Sequence, residues 1–132
     1  MTNQNLIIAS GPIIIENNKV LLSNHGDTDF WKFCGGKMKK DETLQQTAIR
    51  RTKEELGIFV EILDTKPFVM HTLKNIGTQR IDVLLTHYLA KRTGGILPGK
   101  DIKKWTWLPI ENITQEKIGP NIIPALKYFK FI

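Results

Sequence analysis

Between Gly35 and Ile58 the chain reads GGKMKKDETLQQTAIRRTKEELGI. A glycine pair opens the stretch, a carboxylate follows six residues after the second glycine, and a helix-patterned run closes on Arg-Arg-Thr-Lys-Glu-Glu-Leu-Gly. Thr43 and Gln46 form a capping-box pattern, so the helix is expected to start at Thr43. Gly57 supplies the left-handed residue that ends it. At roughly 100° per residue, Leu44, Ala48, Thr52 and Leu56 fall along one stripe, with Ile49 at its far edge. Arg51, Glu54 and Glu55 gather at the other margin, and Arg50 stacks on Glu54, because residues three or four apart on a helix are neighbours. The expected unit is a loop feeding a helix that buries one side and shows a compact carboxylate pair.

That pairing has a chemical reading. Consecutive glutamates such as Glu54 and Glu55 can present several oxygens to a hard divalent cation. The Gly35-Gly36 loop lets backbone come close to the same point with no Cβ in the way.

The stretch resembles the signature of the Nudix hydrolase family, G-x5-E-x7-R-E-U-x-E-E-x-G-U with U apolar. Gly36, Glu42, Arg50, Glu54, Glu55, Gly57 and Ile58 match, seven of the nine specified positions over 23 residues. Arg51 stands where the family has Glu, and Thr52 where it has an apolar residue. The resemblance implies a mixed β-sheet sandwiched between helices, an α/β (α+β) fold, with the signature as loop–helix–loop. It implies hydrolysis of a pyrophosphate bond in a nucleoside diphosphate linked to another group, with Mg2+ or Mn2+ as cofactor. By motif position Glu54 and Glu55 inherit the metal, and Glu42 with Arg50 a structural ion pair. Gly35, Gly36 and Lys37 are the expected substrate contacts. The role of the missing glutamate, a metal ligand or general base in the family, does not carry over to Arg51, since a guanidinium has no acceptor.

Arg51 changes the local charge by two units relative to glutamate. One unit-charge contact at about 4 Å is worth about 4 kcal/mol at an effective dielectric near 20, or about three decades of affinity. The side chain could stay and oppose a metal, swing into solvent, or reach a substrate phosphate, for which its fork is suited. A replacement acid is then expected elsewhere. Asp101 is the first candidate, four residues before Trp105, in a loop region where some family members place a late catalytic carboxylate. Asp82 is the second. For either one alone, a solvated surface acid is the favoured reading. His25, His71 and His87 show no metal-ligand spacing and read as ordinary surface or sheet histidines.

The charge balance agrees with an anionic partner. The net charge is +6, and Lys37, Lys39, Lys40, Arg50, Arg51 and Lys53 crowd the central stretch, where they read as a phosphate-attracting rim. Lys100, Lys103 and Lys104 form a second group. No recognised nucleic-acid motif is present, so nucleic acid stays an unsupported partner. At 132 residues the chain reads as one domain, 1–132, able to bury a proper core. No apolar run approaches the ~20 residues that span a bilayer, and MTNQNLIIAS has no basic n-region, so a signal peptide is not expected. Cys34 is the only cysteine, which excludes an intramolecular disulfide and a cysteine metal site; it reads as a buried filler. A cytoplasmic location fits these features, and the resemblance allows a homodimer.

Along the rest of the chain, Leu6 to Ile15 reads as a strand with a bulge or bend at Gly11-Pro12. Glu16-Asn17-Asn18-Lys19 is turn chemistry, making Leu6 to Asn24 a hairpin. Phe30 to Phe33 reads as a short strand, with Trp31 packed under the glycine loop or serving as a base-stacking platform. Phe59 to Leu63, Lys66 to Leu73, Gln79 to Leu89 and Lys103 to Leu108 read as β. Pro109 to Ile113 is expected as a short helical turn and Pro120 to Phe131 as a final amphipathic helix.

Two functions follow. One is a Mg2+-dependent hydrolase carried by Glu54 and Glu55. The other is a catalytically degenerate domain that binds a nucleotide, RNA end or protein without turnover, with Arg51 as a built-in cation in the metal's place.

Overall fold

The computed structural model describes residues 6–132; the first residues of the amino-terminal stretch weighed above as a signal peptide lie outside that range. Strands β1 (Leu6–Glu16) and β2 (Lys19–Asn24) form the expected hairpin. Its register pairs Ile15 with Val20 and Glu16 with Lys19, and Asn17 and Asn18 both take positive φ, 52° and 58°. Two successive left-handed residues give the turn whose twist matches the flanking strands.

After β3 (Gly36–Lys37) comes helix α1 (Leu44–Leu56), then β4 (Phe59–Ile62), β5 (Phe68–Ile76), β6 (Gln79–Thr93) and β7 (Lys104–Pro109). A 3-10 turn (Ile110–Gln115) and helix α2 (Ile122–Tyr128) close the chain. The sheet runs β4-β6-β1-β2-β7, with β3 on β1 and β5 on β6. β1 and β6 pair in parallel over Leu6–Ile14 and Asp82–Ala90; the other pairings are antiparallel.

Successive side chains on a strand point to opposite faces, and here both faces are covered. Ile13, Val20 and Leu22 pack with Leu108, Ile113, Ile122, Ala125 and Leu126 on the α2 side. Their neighbours Ile14 and Leu21 pack with Cys34, Leu56, Ile58, Val60 and Ala90 on the α1 side. Continuous apolar runs in β1 and β2, instead of alternation, follow from burial on both sides. The sandwich expected from the resemblance is the observed architecture.

Four local expectations are corrected. β1 carries no bulge at Gly11-Pro12, its one-to-one register with β6 running on through both residues. On the edge away from β6 it pairs with β3 at Ala9–Ser10 and with β2 at Ile15–Glu16, and Pro12 falls in the gap between them. The Cys34–Gly35 backbone fills part of that gap: a Cβ on Gly11 would stand 1.8 Å from the Cys34 carbonyl oxygen. Phe30 to Phe33 forms no strand, only single bridges from Lys32 to Ser23 and from Trp31 to Ile118. α2 is shorter than Pro120 to Phe131, ending where Lys130 turns left-handed at φ 64°. β6 runs on to Thr93, past the end expected at Leu89, because β4 pairs with its last residues. No helix among the described residues is long and apolar enough to cross a membrane.

Candidate active site

α1 is held at both ends by local chemistry. The Thr43 hydroxyl accepts from Gln46 N, and the Gln46 side chain accepts in return from Thr43 N. Gly57 takes φ 70° at the other end. The loop after β6 then satisfies the last carbonyls: Leu97 N–H donates to Leu56 O at 2.8 Å and Gly99 N–H to Glu55 O at 2.7 Å. Thr52, polar where the signature is apolar, is fully buried. Its hydroxyl donates to Ala48 O at 2.7 Å, so the departure leaves no unsatisfied group.

The buried stripe of α1 comprises Thr47, Ala48, Thr52, Glu55 and Leu56. Glu55 therefore does not sit at an exposed margin beside Glu54. Its side chain is 2% exposed against 45% for Glu54. A buried carboxylate needs partners, and Glu55 has three. Gly35 N–H donates to Oε1 at 2.8 Å, His25 Nε2 lies 2.5 Å from Oε2, and Arg51 Nη2 lies 3.4 Å from Oε2. Gly35, at φ 142°, is packed on β1 where a Cβ would meet Ser10 O at 2.5 Å. Only glycine lets the loop bring its N–H to Glu55 there.

His25 corrects the reading of all three histidines as bystanders. It directly follows β2, where Gly26 N–H donates to Asn24 Oδ1 at 2.6 Å in a tight turn, and Lys103 N–H donates to Asn24 O. The available signal was its place at the end of the β2 strand, beside the glycine loop's own anchor strand. His87 is a sheet histidine, buried between Phe33 and Asn121, and burial pushes it down to about 4. His71 pairs with Asp82 at 2.7 Å on an exposed part of the sheet, so the second candidate acid is already engaged there. Asp101 lies exposed in the loop that covers the helix end, with no ion-pair partner among the described residues.

Glu42 and Arg50 form a bidentate pair, Nε to Oε2 at 2.7 Å and Nη2 to Oε1 at 3.1 Å. Thr47 Oγ1 and Lys39 N–H also donate to Oε1. Arg50 and these donors hold Glu42 down at about 2. Arg50 Nη2 further donates to Lys37 O at 2.9 Å, tying β3 to α1. A cleft of about 490 Å3 opens beside the pair, lined by Lys39, Lys40 and Gln46 among others. Trp31 packs partly buried against the α2-side core with Lys104 Nζ 5.5 Å from its ring centre. Cys34 is buried, its thiol pushed up to about 12 by desolvation.

Arg51 lies across the carboxylates. Nη1 donates to Glu54 Oε1 at 2.9 Å, the oxygen that Arg50 Nη1 also reaches at 2.9 Å, and Nη2 faces Glu55. Its hydrogen bond to Glu54, with both guanidinium charges, lowers the Glu54 carboxyl below the ordinary range. For the divalent metal that the resemblance implies, the donors are of the right kind, two hard carboxylates on one helical turn. The guanidinium is what does not suit it, a cation already bridging both. Among the described residues no three His, Cys, Asp or Glu side chains gather as a metal cluster.

The sequence pattern of the NUDIX domain family matches residues 7–129. CTP pyrophosphohydrolase of Escherichia coli K12 is 26% identical over 121 residues, covering 89% of this chain and 86% of that protein. 8-oxo-dGTP diphosphatase of Proteus vulgaris is 36% identical over 72 residues, 49% of this chain and 64% of that protein. The structure of a Caenorhabditis elegans Ap4A hydrolase superposes with a TM-score of 0.75 at 20% identity, over 93% of this chain and 94% of that one. At that identity the likeness is one of fold.

Proposed function

The chain belongs to the NUDIX domain family, and from that membership we propose that it hydrolyses the pyrophosphate bond of a nucleoside diphosphate linked to another group. The family match and the pyrophosphohydrolase relatives support its placement as a Nudix pyrophosphohydrolase. The observation that carries the reading is the meeting of the glycine loop and the helix: Gly35 N–H on Glu55, with Glu54 one residue away facing solvent.

Glu54 and Glu55 would hold a divalent ion, Mg2+ or Mn2+, which neutralises phosphate oxygens and lowers the pKa of a bound water. The protein's own contribution is positioning and charge. His25 and Gly35 fix the Glu55 carboxylate, so that it does not reorganise when a ligand arrives. The Glu42–Arg50 pair locks β3 to α1 and keeps Gly36 and Lys37 at the mouth of the site. Lys37, Lys39 and Arg51 supply positive charge for phosphate oxygens. Asp101 remains the proposed general base among residues outside the helix.

Arg51 favours a second reading, a domain that binds a nucleotide without turnover. The two differ in one assay. A panel of nucleoside triphosphates, dinucleoside polyphosphates and nucleoside diphosphate sugars is incubated with Mg2+, with Mn2+ and with chelator. The hydrolase releases phosphate-containing products from at least one compound only when metal is supplied. Ligand affinity that chelator leaves unchanged, with no product from any compound, would establish the binding domain instead.

A further inference from the structure

Glu42, Glu54 and Glu55 meet Arg50 and Arg51 within one cluster of ion pairs. The five charged side chains sum to one negative charge, where a glutamate at position 51 would leave three. Arg51 is also the member that touches both Glu54 and Glu55. Its guanidinium rests on Gly36, where a Cβ would stand 2.3 Å from Nε, and Nε is buried without a hydrogen-bond partner among the described residues. A buried, unpaired donor is costly. Its posture is therefore held by the two carboxylates at the other end of the fork, at the expense of Nε.

We propose that Arg51 is an intramolecular cation that excludes a divalent metal from the Glu54–Glu55 pair in the free protein. The inference rests on the reading of that pair as the metal site. Arg51 and a divalent ion compete for the same oxygens: Glu54 Oε1 already accepts two N–H groups, and Glu55 Oε2 lies between His25 and Arg51. An entering ion must displace the guanidinium and leave it beside its own double charge. The free site is thus closed to metal by a side chain of the same helix.

The test is Mn2+ binding to the ligand-free protein in phosphate-free buffer, by calorimetry and by the loss of the free-ion electron paramagnetic resonance signal. Wild type is compared with Arg51→Gln and Arg51→Glu, and circular dichroism checks that each variant is folded. Affinity is expected to rise at least tenfold from wild type to Arg51→Gln and further in Arg51→Glu. Mn2+ should raise the melting temperature of both variants while leaving wild type within error. Wild type binding Mn2+ as tightly as Arg51→Gln would overturn the exclusion and leave the metal site standing. Failure of folded Arg51→Glu to bind Mn2+ at all would overturn the metal site together with the exclusion. If Arg51→Gln does not fold, the comparison of wild type with Arg51→Glu decides by the same criteria.

Discussion

Gly36 and Arg51 are in such close contact that a methyl group on the glycine would occupy the place of the guanidinium's Nε, 2.3 Å away. The obstructing atoms belong to a long, flexible side chain, so the conflict is relieved by moving Arg51 and leaves the backbone in place. Gly36→Ala is therefore expected to cost only about 1 kcal/mol of stability. It should also raise Mn2+ affinity in the same direction as Arg51→Gln, with no charge changed. Chemical denaturation and calorimetry on the one variant check both.

Gly11→Ala provides the contrast. Its Cβ would meet the Cys34 carbonyl oxygen at 1.8 Å and the Gly35 Cα at 2.9 Å, all backbone. Nothing flexible can yield there without moving the glycine loop off β1. A loss of about 3 kcal/mol or more is expected, read as a fall in the urea midpoint well beyond that of Gly36→Ala.

Glu42 makes a prediction in acid. Its carboxyl sits at about 2 in the folded protein, against an ordinary value of 4.5, chiefly because of the hydrogen bonds from Arg50 and Thr47. A depressed carboxyl contributes stability above its unfolded value and loses it as pH falls toward the folded one. Glu42→Gln should be less stable than wild type at pH 7, with the gap closing between about pH 4.5 and 2. A gap that stays constant across that window would show that the loss is one of shape alone.

His87 gives the companion case with the opposite charge. Burial holds it at about 4 instead of 6.5, so the unfolded chain takes up a proton between those values and the folded one does not. Its contribution therefore makes stability fall as pH drops from about 6.5 to 4. His87→Gln should flatten the stability–pH curve in that interval, measured by urea unfolding at fixed temperature.

How much of this was written in the chain depended on how far apart the partners lie. α1 was legible to the residue because its signals are local: the Thr43–Gln46 capping box, the apolar stripe and Gly57 all fall within one turn of what they control. The Asn17-Asn18 turn was legible for the same reason. The burial of Glu55 was not, since it depends on His25, thirty residues earlier, and on Gly99, folded back over the helix end. Periodicity placed Glu55 beside Glu54, and only tertiary packing separates a buried carboxylate from an exposed one. His25 was missed because its meaning comes from the end of β2 lying next to the glycine loop, which no spacing along the chain reports. Phe30 to Phe33 reads as a strand from its aromatic residues, yet the backbone there finds only single bridges, from Lys32 to Ser23 of β2 and from Trp31 to Ile118.

Thr43→Ala tests the most local part of the account. It removes the hydroxyl that accepts from Gln46 N, and an N-cap of this kind is worth about 1 kcal/mol. Because α1 carries both Glu54 and Glu55, the same change should weaken Mn2+ binding in an Arg51→Gln background, seen by calorimetry.

The most direct measurement is the turnover of Glu54→Gln on the best compound of the nucleotide panel, at saturating Mg2+ or Mn2+. Glu54 is half-exposed, so the variant should keep the wild-type circular dichroism spectrum. A site built on Glu54 and Glu55 predicts a fall in kcat/KM of at least a hundredfold, about 2.7 kcal/mol of transition-state stabilisation. A folded variant turning over within twofold of wild type would contradict it.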